Sequence, residues 1–133
     1  MKQLQWLQRE TILALQERLL AEFGGASGIR DENLFESALA RPLNRFAYGK
    51  PTIFQLAAAY AFGLVRNHPF TDGNKRIGFT SAVLFLELNG YRFVASEADA
   101  TVQTLALAAG DLNEEKYANW LKHNSTKRQG RRR

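Results

Sequence analysis

The chain has 133 residues, an apolar fraction of 45% and a formal net charge of +5, which fits one domain around a single hydrophobic core. It contains no cysteine, so disulfides, thiolate catalysis and thiolate metal ligands are excluded. Lys127, Arg128, Arg131, Arg132 and Arg133 crowd the C-terminal end and leave a body close to neutral. The charge therefore describes a tail rather than a basic face. Residues 1–123 are expected to form the domain and residues 124–133 a basic, disordered tail, with affinity for nucleic acid as the lesser reading.

Met1 to Trp6 is too polar for a signal peptide, and the apolar stretch Leu56 to Val65, interrupted by Gly63, is too short to span a bilayer. A cytoplasmic protein with no membrane partner is expected. Ile12, Leu15, Leu19 and Leu20 fall at helical spacing and predict a helix over Arg9–Phe23, closed by Gly24-Gly25. Asp31 is placed to cap a short second helix that turns Leu34, Ala38 and Leu39 inward and stops at Pro42. Asn44 to Pro51 mixes aromatics, cations, Gly and Pro and reads as an irregular loop, with a short hairpin as the only strand signal in the chain.

Thr52-x-x-Gln55 matches a capping box and opens a helix over about Ile53–Arg66 with a broad apolar face. His68 precedes Pro69 and so belongs at or just past that helix's end, where its imidazole is presented rather than buried. The next helix, about Asn74–Leu88, is apolar nearly all round and belongs in the middle of the domain. Tyr91 to Ala95 reads as an extended link. Ser96 caps a helix to about Ala109, and Asn113 caps a last one over Glu114–His123 with Tyr117, Trp120 and Leu121 inward. The fold class expected is all-α, a compact bundle of about six helices with a central buried helix.

His68-Pro69-Phe70-Thr71-Asp72-Gly73-Asn74-Lys75-Arg76 gathers a base, a carboxylate, a glycine, an amide and two cations between the two long apolar helices. A helix start is an anion site, because its first N–H groups are unpaired and the dipole is positive there. Gly73 lets a ligand approach the backbone, and Lys75 and Arg76 can bond phosphate. Asp72 can hold a hard cation, or simply cap the helix beginning at Asn74. His68 can serve as a general base. Two cations oppose the helix dipole, which calls for a bound anion. With His123 the only other histidine, a zinc site is poorly supplied. There is no P-loop, and Ser81 has no base near it in sequence.

The same nine residues resemble the Fic/Doc (Fido) signature, His-x-Phe-x-Asp/Glu-Gly-Asn-Gly-Arg-x-x-Arg. Lys75 stands where the Fic form has its second glycine and Phe79 where it has its second arginine. Both departures are similar to the death-on-curing (Doc) branch, as are Gly28-Ile29-Arg30-Asp31, Leu34 to Pro42 and Leu86 to Tyr91. The resemblance implies a Fic/Doc fold and a kinase using ATP and Mg2+, with Asp72 on the metal and Gly73, Asn74, Lys75 and Arg76 on the phosphates. His68 is then the catalytic base and Phe70 the structural anchor of the motif. It implies a flap at Arg45, Phe46, Tyr48 and Lys50 that positions the target; the alternative there is a plain loop burying Phe46. By the same resemblance the chain is a toxin that phosphorylates a Thr/Ser hydroxyl of a translation factor of the elongation factor Tu class and so arrests translation. Its partner is a Phd-like antitoxin, through which alone DNA is contacted. AMP transfer to a target hydroxyl and a catalytically silent co-repressor are the alternatives. The inhibitory helix of many Fic proteins, Ser/Thr-x-x-x-Glu-Gly/Asn, is missing: Glu32-Asn33 is preceded by Gly28 at the required place.

Overall fold

The computed structural model describes residues 3–128. In chain order it comprises α1 (Arg9–Phe23), α2 (Glu32–Ala47), α3 (Ile53–Asn67), α4 (Asn74–Leu88), β1 (Tyr91–Phe93), α5 (Glu97–Ala109), α6 (Glu114–His123) and β2 (Ser125–Lys127). The expected all-α bundle of six helices is what forms, and the local capping signals fix most of its boundaries. Asp31 accepts from Leu34 N–H, Ser96 from Asp99 N–H and Asn113 from Lys116 N–H. Thr52 and Gln55 complete a reciprocal capping box. No helix among the described residues is long and apolar enough to cross a membrane.

α3 is the hub. It packs against α2, α4, α5 and α6, and Ala57, Ala58, Ala59 and Ala61 are wholly buried along it. Small side chains let four neighbours approach one helix, and the larger Tyr60, Phe35, Phe70 and Phe85 fill what remains. α4 lies beside α3 with Ile77, Ala82, Phe85 and Leu86 fully buried. The two long helices that carry the signature are thus held rigidly against each other.

Three expectations need correction. Pro42 does not stop the second helix; it lies inside α2 and is buried. A proline leaves the carbonyl four residues earlier without its helical donor. That carbonyl belongs to Ala38, and it faces the bare Cα of Gly63 on α3, where an added Cβ would sit 3.3 Å from the oxygen and 3.1 Å from Ala38 Cα. Close contact with α3 at Gly63 sustains the helix through the break. The hairpin expected between Asn44 and Pro51 is absent: α2 runs to Ala47, and a turn without strand leads to Thr52. The only sheet among the described residues is β1 with β2, antiparallel, pairing Tyr91 with Lys127 and Phe93 with Ser125. The tail expected from residue 124 is therefore ordered through Lys127, because β1 offers it an unpaired edge. Residues 129–133 lie outside the described residues.

Candidate active site

His68 caps the C-terminus of α3 in the left-handed region, φ 56° and ψ 51°, and is the one non-glycine residue with positive φ among those described. Such a conformation persists only where its surroundings impose it. Here they do. Arg30 Nε donates to His68 O at 2.8 Å, and Arg30 Nη2 donates to Asn67 O at 3.2 Å. One guanidinium thus satisfies the last two carbonyls of α3 and places a cation at the negative end of its dipole. The imidazole stays exposed while the following Pro69 and Phe70 are buried.

The loop of residues 24–31 runs along the signature and braces it. Arg30 N–H and Asp31 N–H both donate to Pro69 O, Thr71 N–H donates to Gly28 O, and Ile29 bridges Phe70. Phe70, 1% exposed, packs against Phe35 with the rings tilted and their centroids 5.1 Å apart. Asp72 does not cap α4. Its Oδ2 accepts from Ala26 N–H at 2.9 Å, and the N-cap is Gly73, with φ 78°. A left-handed Gly73 followed by the helical Asn74 gives the successive N–H groups the form of a nest, which suits an anion.

Asn74 departs from its expected role. Its carboxamide is 3% exposed, accepts from Phe70 N–H at 2.9 Å and donates to Phe70 O at 2.9 Å. The side chain is committed to closing the loop, so only the backbone N–H of Asn74 is free to face an anion. Lys75 and Arg76 are exposed, and the first turn of α4 carries no acidic residue. Arg76 lies over the half-exposed ring of Phe23, 4.3 Å from its centroid, an arrangement that orients the guanidinium without neutralising it.

The structure thus brings together His68, Phe70, Asp72, Gly73, Lys75 and Arg76 on one loop and one helix start. It does not bring Arg45, Phe46, Tyr48 or Lys50 to them. Those residues flank the start of α3 while His68 caps its end, and fifteen residues of helix at ~1.5 Å each separate the two by roughly 22 Å. Arg45 instead pairs with Glu114 at 3.0 Å, and Tyr48 is 89% exposed. Phe46 is not buried as the alternative required; it remains 51% exposed, its ring set edge-on against Trp6. Two contributors escape a reading of the motif alone. Arg30 lies in the segment similar to the Doc branch but carries no chemical signal of its own there. Gln16 sits on the apolar stripe of α1, midway between buried Ile12 and Leu20, a polar residue where periodicity demands an apolar one.

The donor set suits a phosphate-bearing ligand: a nest, two exposed cations, one exposed carboxylate and a neighbouring histidine. No group of three or more metal-ligating side chains occurs among the described residues. One carboxylate suffices only for a hard cation whose other ligands are phosphates and water, the usual habit of magnesium. Asp72 fits that case.

A helical bundle with Gly73 and two exposed cations at the start of α4, and a histidine at the end of α3, defines the class of domain. Residues 6–86 match the sequence model described as the Fic/DOC family, and the chain belongs to that family. It is similar to a protein named Protein kinase doc from Escherichia phage P1, at 32% identity over 114 residues, which cover 85% of this chain and 90% of that protein. It is also similar to a protein named Toxin Doc from Mycolicibacterium smegmatis, at 37% identity over 94 residues, 68% of this chain and 69% of that one.

Proposed function

We propose that the chain is the toxin of a toxin–antitoxin pair and acts as a protein kinase, moving the γ-phosphate of ATP to a Thr or Ser hydroxyl of a translation factor of the elongation factor Tu class. The observation that carries this reading is the similarity to Protein kinase doc over 90% of that protein. The arrangement of His68 beside a basic cradle supports it. His68 accepts the proton of the target hydroxyl. The N–H groups of Gly73, Asn74 and Lys75, with the side chains of Lys75 and Arg76, hold the phosphates and offset charge that develops on them. Asp72 would hold magnesium, which would supply further neutralisation of phosphate charge. Phe70 and the Asn74 carboxamide keep the loop in shape.

Phe79 favours γ-phosphate transfer over AMP transfer. Its ring packs 5.6 Å from Phe93 and 6.3 Å from Trp120, so this turn of α4 offers no cation to the far end of a nucleotide's phosphates. Inhibition is assigned to a partner chain, a Phd-like antitoxin, with any contact to DNA made through it. Glu32, the one residue with a trace of the internal inhibitory motif, is paired with Arg9.

The test uses bacterial lysate as substrate, with ATP labelled at the γ- or the α-phosphate. The purified chain should label a protein from γ-labelled ATP only, and His68→Ala should lose that labelling by ~10²–10⁴-fold. Labelling from α-labelled ATP alone would replace kinase with AMP transferase. No labelling from either would leave a binding protein that acts only with its antitoxin.

A further inference from the structure

Gln16 of α1 is 2% exposed, and its side chain reaches the signature across the core. Nε2 donates to Asp72 O at 2.7 Å. The amide orientation follows from chemistry, since a carbonyl oxygen can only accept. The other end of the amide, Oε1, is buried and has no hydrogen-bond partner. A Cβ added at Gly73 would lie 3.4 Å from Nε2 and 3.6 Å from Oε1, so the amide sits directly beneath the N-cap of α4.

A buried amide half-satisfied in this way is unfavourable as a packing element. Ile12 and Leu20, one turn to either side on the same stripe, are buried and apolar, and a Met or Leu at position 16 would fill the slot with no orphan oxygen. What the amide achieves is directional. In a trans peptide the C=O and the following N–H point opposite ways. Drawing the Asp72 carbonyl inward onto Gln16 turns the Gly73 N–H the opposite way, away from the amide. That N–H is the first of the nest.

We infer that Gln16 is a positioning residue for phosphate binding, orienting the Asp72–Gly73 peptide so that the Gly73 amide joins the anion cradle. The inference rests on the nucleotide-binding reading of the site. It assigns to the core of α1 a share in the affinity for ATP, although Gln16 itself is sealed from the ligand.

The experiment is calorimetric titration of the wild-type chain and Gln16→Met with ATP and magnesium, together with thermal melts of both. Met keeps the volume and removes the hydrogen bond. Loss of one correctly aimed donor to a charged group should raise the Kd for ATP by about tenfold or more, with the melting midpoint close to wild type, because the orphan oxygen of Gln16 is gone while the Asp72 carbonyl loses its donor. Gln16→Leu, which presents no donor to the Asp72 carbonyl and adds no charge beneath the cradle, should show the same loss of affinity and covers the case of poor folding in the Met variant. ATP affinity within about twofold of wild type in either folded variant would overturn the assignment. So would a fall in melting midpoint with affinity unmoved, which is the signature of a merely structural residue. Failure of the wild-type chain itself to bind ATP would overturn the nucleotide reading, and this inference with it. Equal binding by wild type and variants overturns this inference alone.

Discussion

Asn74→Ala separates two roles that the signature confounds. As a phosphate ligand, Asn74 would lose affinity for ATP and leave stability untouched. The structure gives its side chain to Phe70, whose N–H and C=O it satisfies at 2.9 Å each, in a region where Phe70 is 1% and Asn74 3% exposed. Truncation leaves both backbone groups without partners, at ~1–3 kcal/mol for each buried unsatisfied group. Entry of a water into the vacated space recovers part of this, so about 2–4 kcal/mol is expected, a large share of a typical domain stability of ~5–15 kcal/mol. With a urea m-value near 1.5 kcal/mol/M, that is a drop of about 1.3–2.7 M in midpoint. Asn74→Asp should fall between: one carboxylate oxygen still accepts from Phe70 N–H, the other opposes Phe70 O, and the helix start favours the anion. Urea unfolding followed by circular dichroism measures all three proteins. An Asn74→Ala midpoint equal to wild type, with ATP binding lost, would refute the loop-closing role and return the side chain to the phosphates.

Two further outcomes are expected. Arg30→Met, and to a lesser degree Arg30→Lys, should lower kcat in the kinase assay by about 10–100-fold while leaving KM for ATP close to wild type, because Arg30 holds the left-handed turn at His68 and not the phosphate cradle; an unchanged kcat would dismiss that role. Alkaline pH should unfold the protein through Tyr117 and Tyr60, whose burial raises both phenols above the ordinary value of 10.0, opposed in part by hydrogen bonds to Thr104 and Leu7 respectively. The folded state then keeps protons that the unfolded state releases, so stability is full below about pH 10 and declines above it; a stability profile flat through pH 11–12, on the order of a unit or two beyond that value, would contradict it.

The parts of this fold that were legible in the sequence are those decided within a few residues. Asp31, Thr52 with Gln55, Ser96 and Asn113 cap their helices by bonds spanning three residues, so their chemistry is printed in the local string. His68 was placed at a helix end by Pro69 for the same reason. What stayed hidden depends on partners distant along the chain. Pro42 breaks a local rule because Gly63 on α3 receives the affected turn. β2 forms because β1 lies beside it after the chain has passed through two helices. The contacts of Arg30 with His68 and of Gln16 with Asp72 span 38 and 56 residues. The cation content of the cradle was readable; the bracing that gives it a shape was not.

Phe79 shows how a change in the motif is absorbed by the fold rather than left as a gap. It lies one turn beyond Arg76 on α4, a position from which an arginine could accompany Lys75 and Arg76. In this chain the position is claimed from the other direction. Phe93 of β1 meets Phe79 edge-on, Trp120 of α6 meets both rings, and Tyr117 stacks behind Trp120 at 5.2 Å. The Trp120 indole is fixed in turn by its Nε1–H donating to Asp99 at 2.8 Å. Aromatic pairs of this geometry contribute beyond their buried area, at ~0.5–1.5 kcal/mol each, and the cluster ties together α4, β1, α5 and α6. The same wall fixes β1, against which β2 pairs. Phe79, where the Fic form has its second arginine, thus adds a structural contact, and this turn of the helix belongs to the aromatic wall behind the signature.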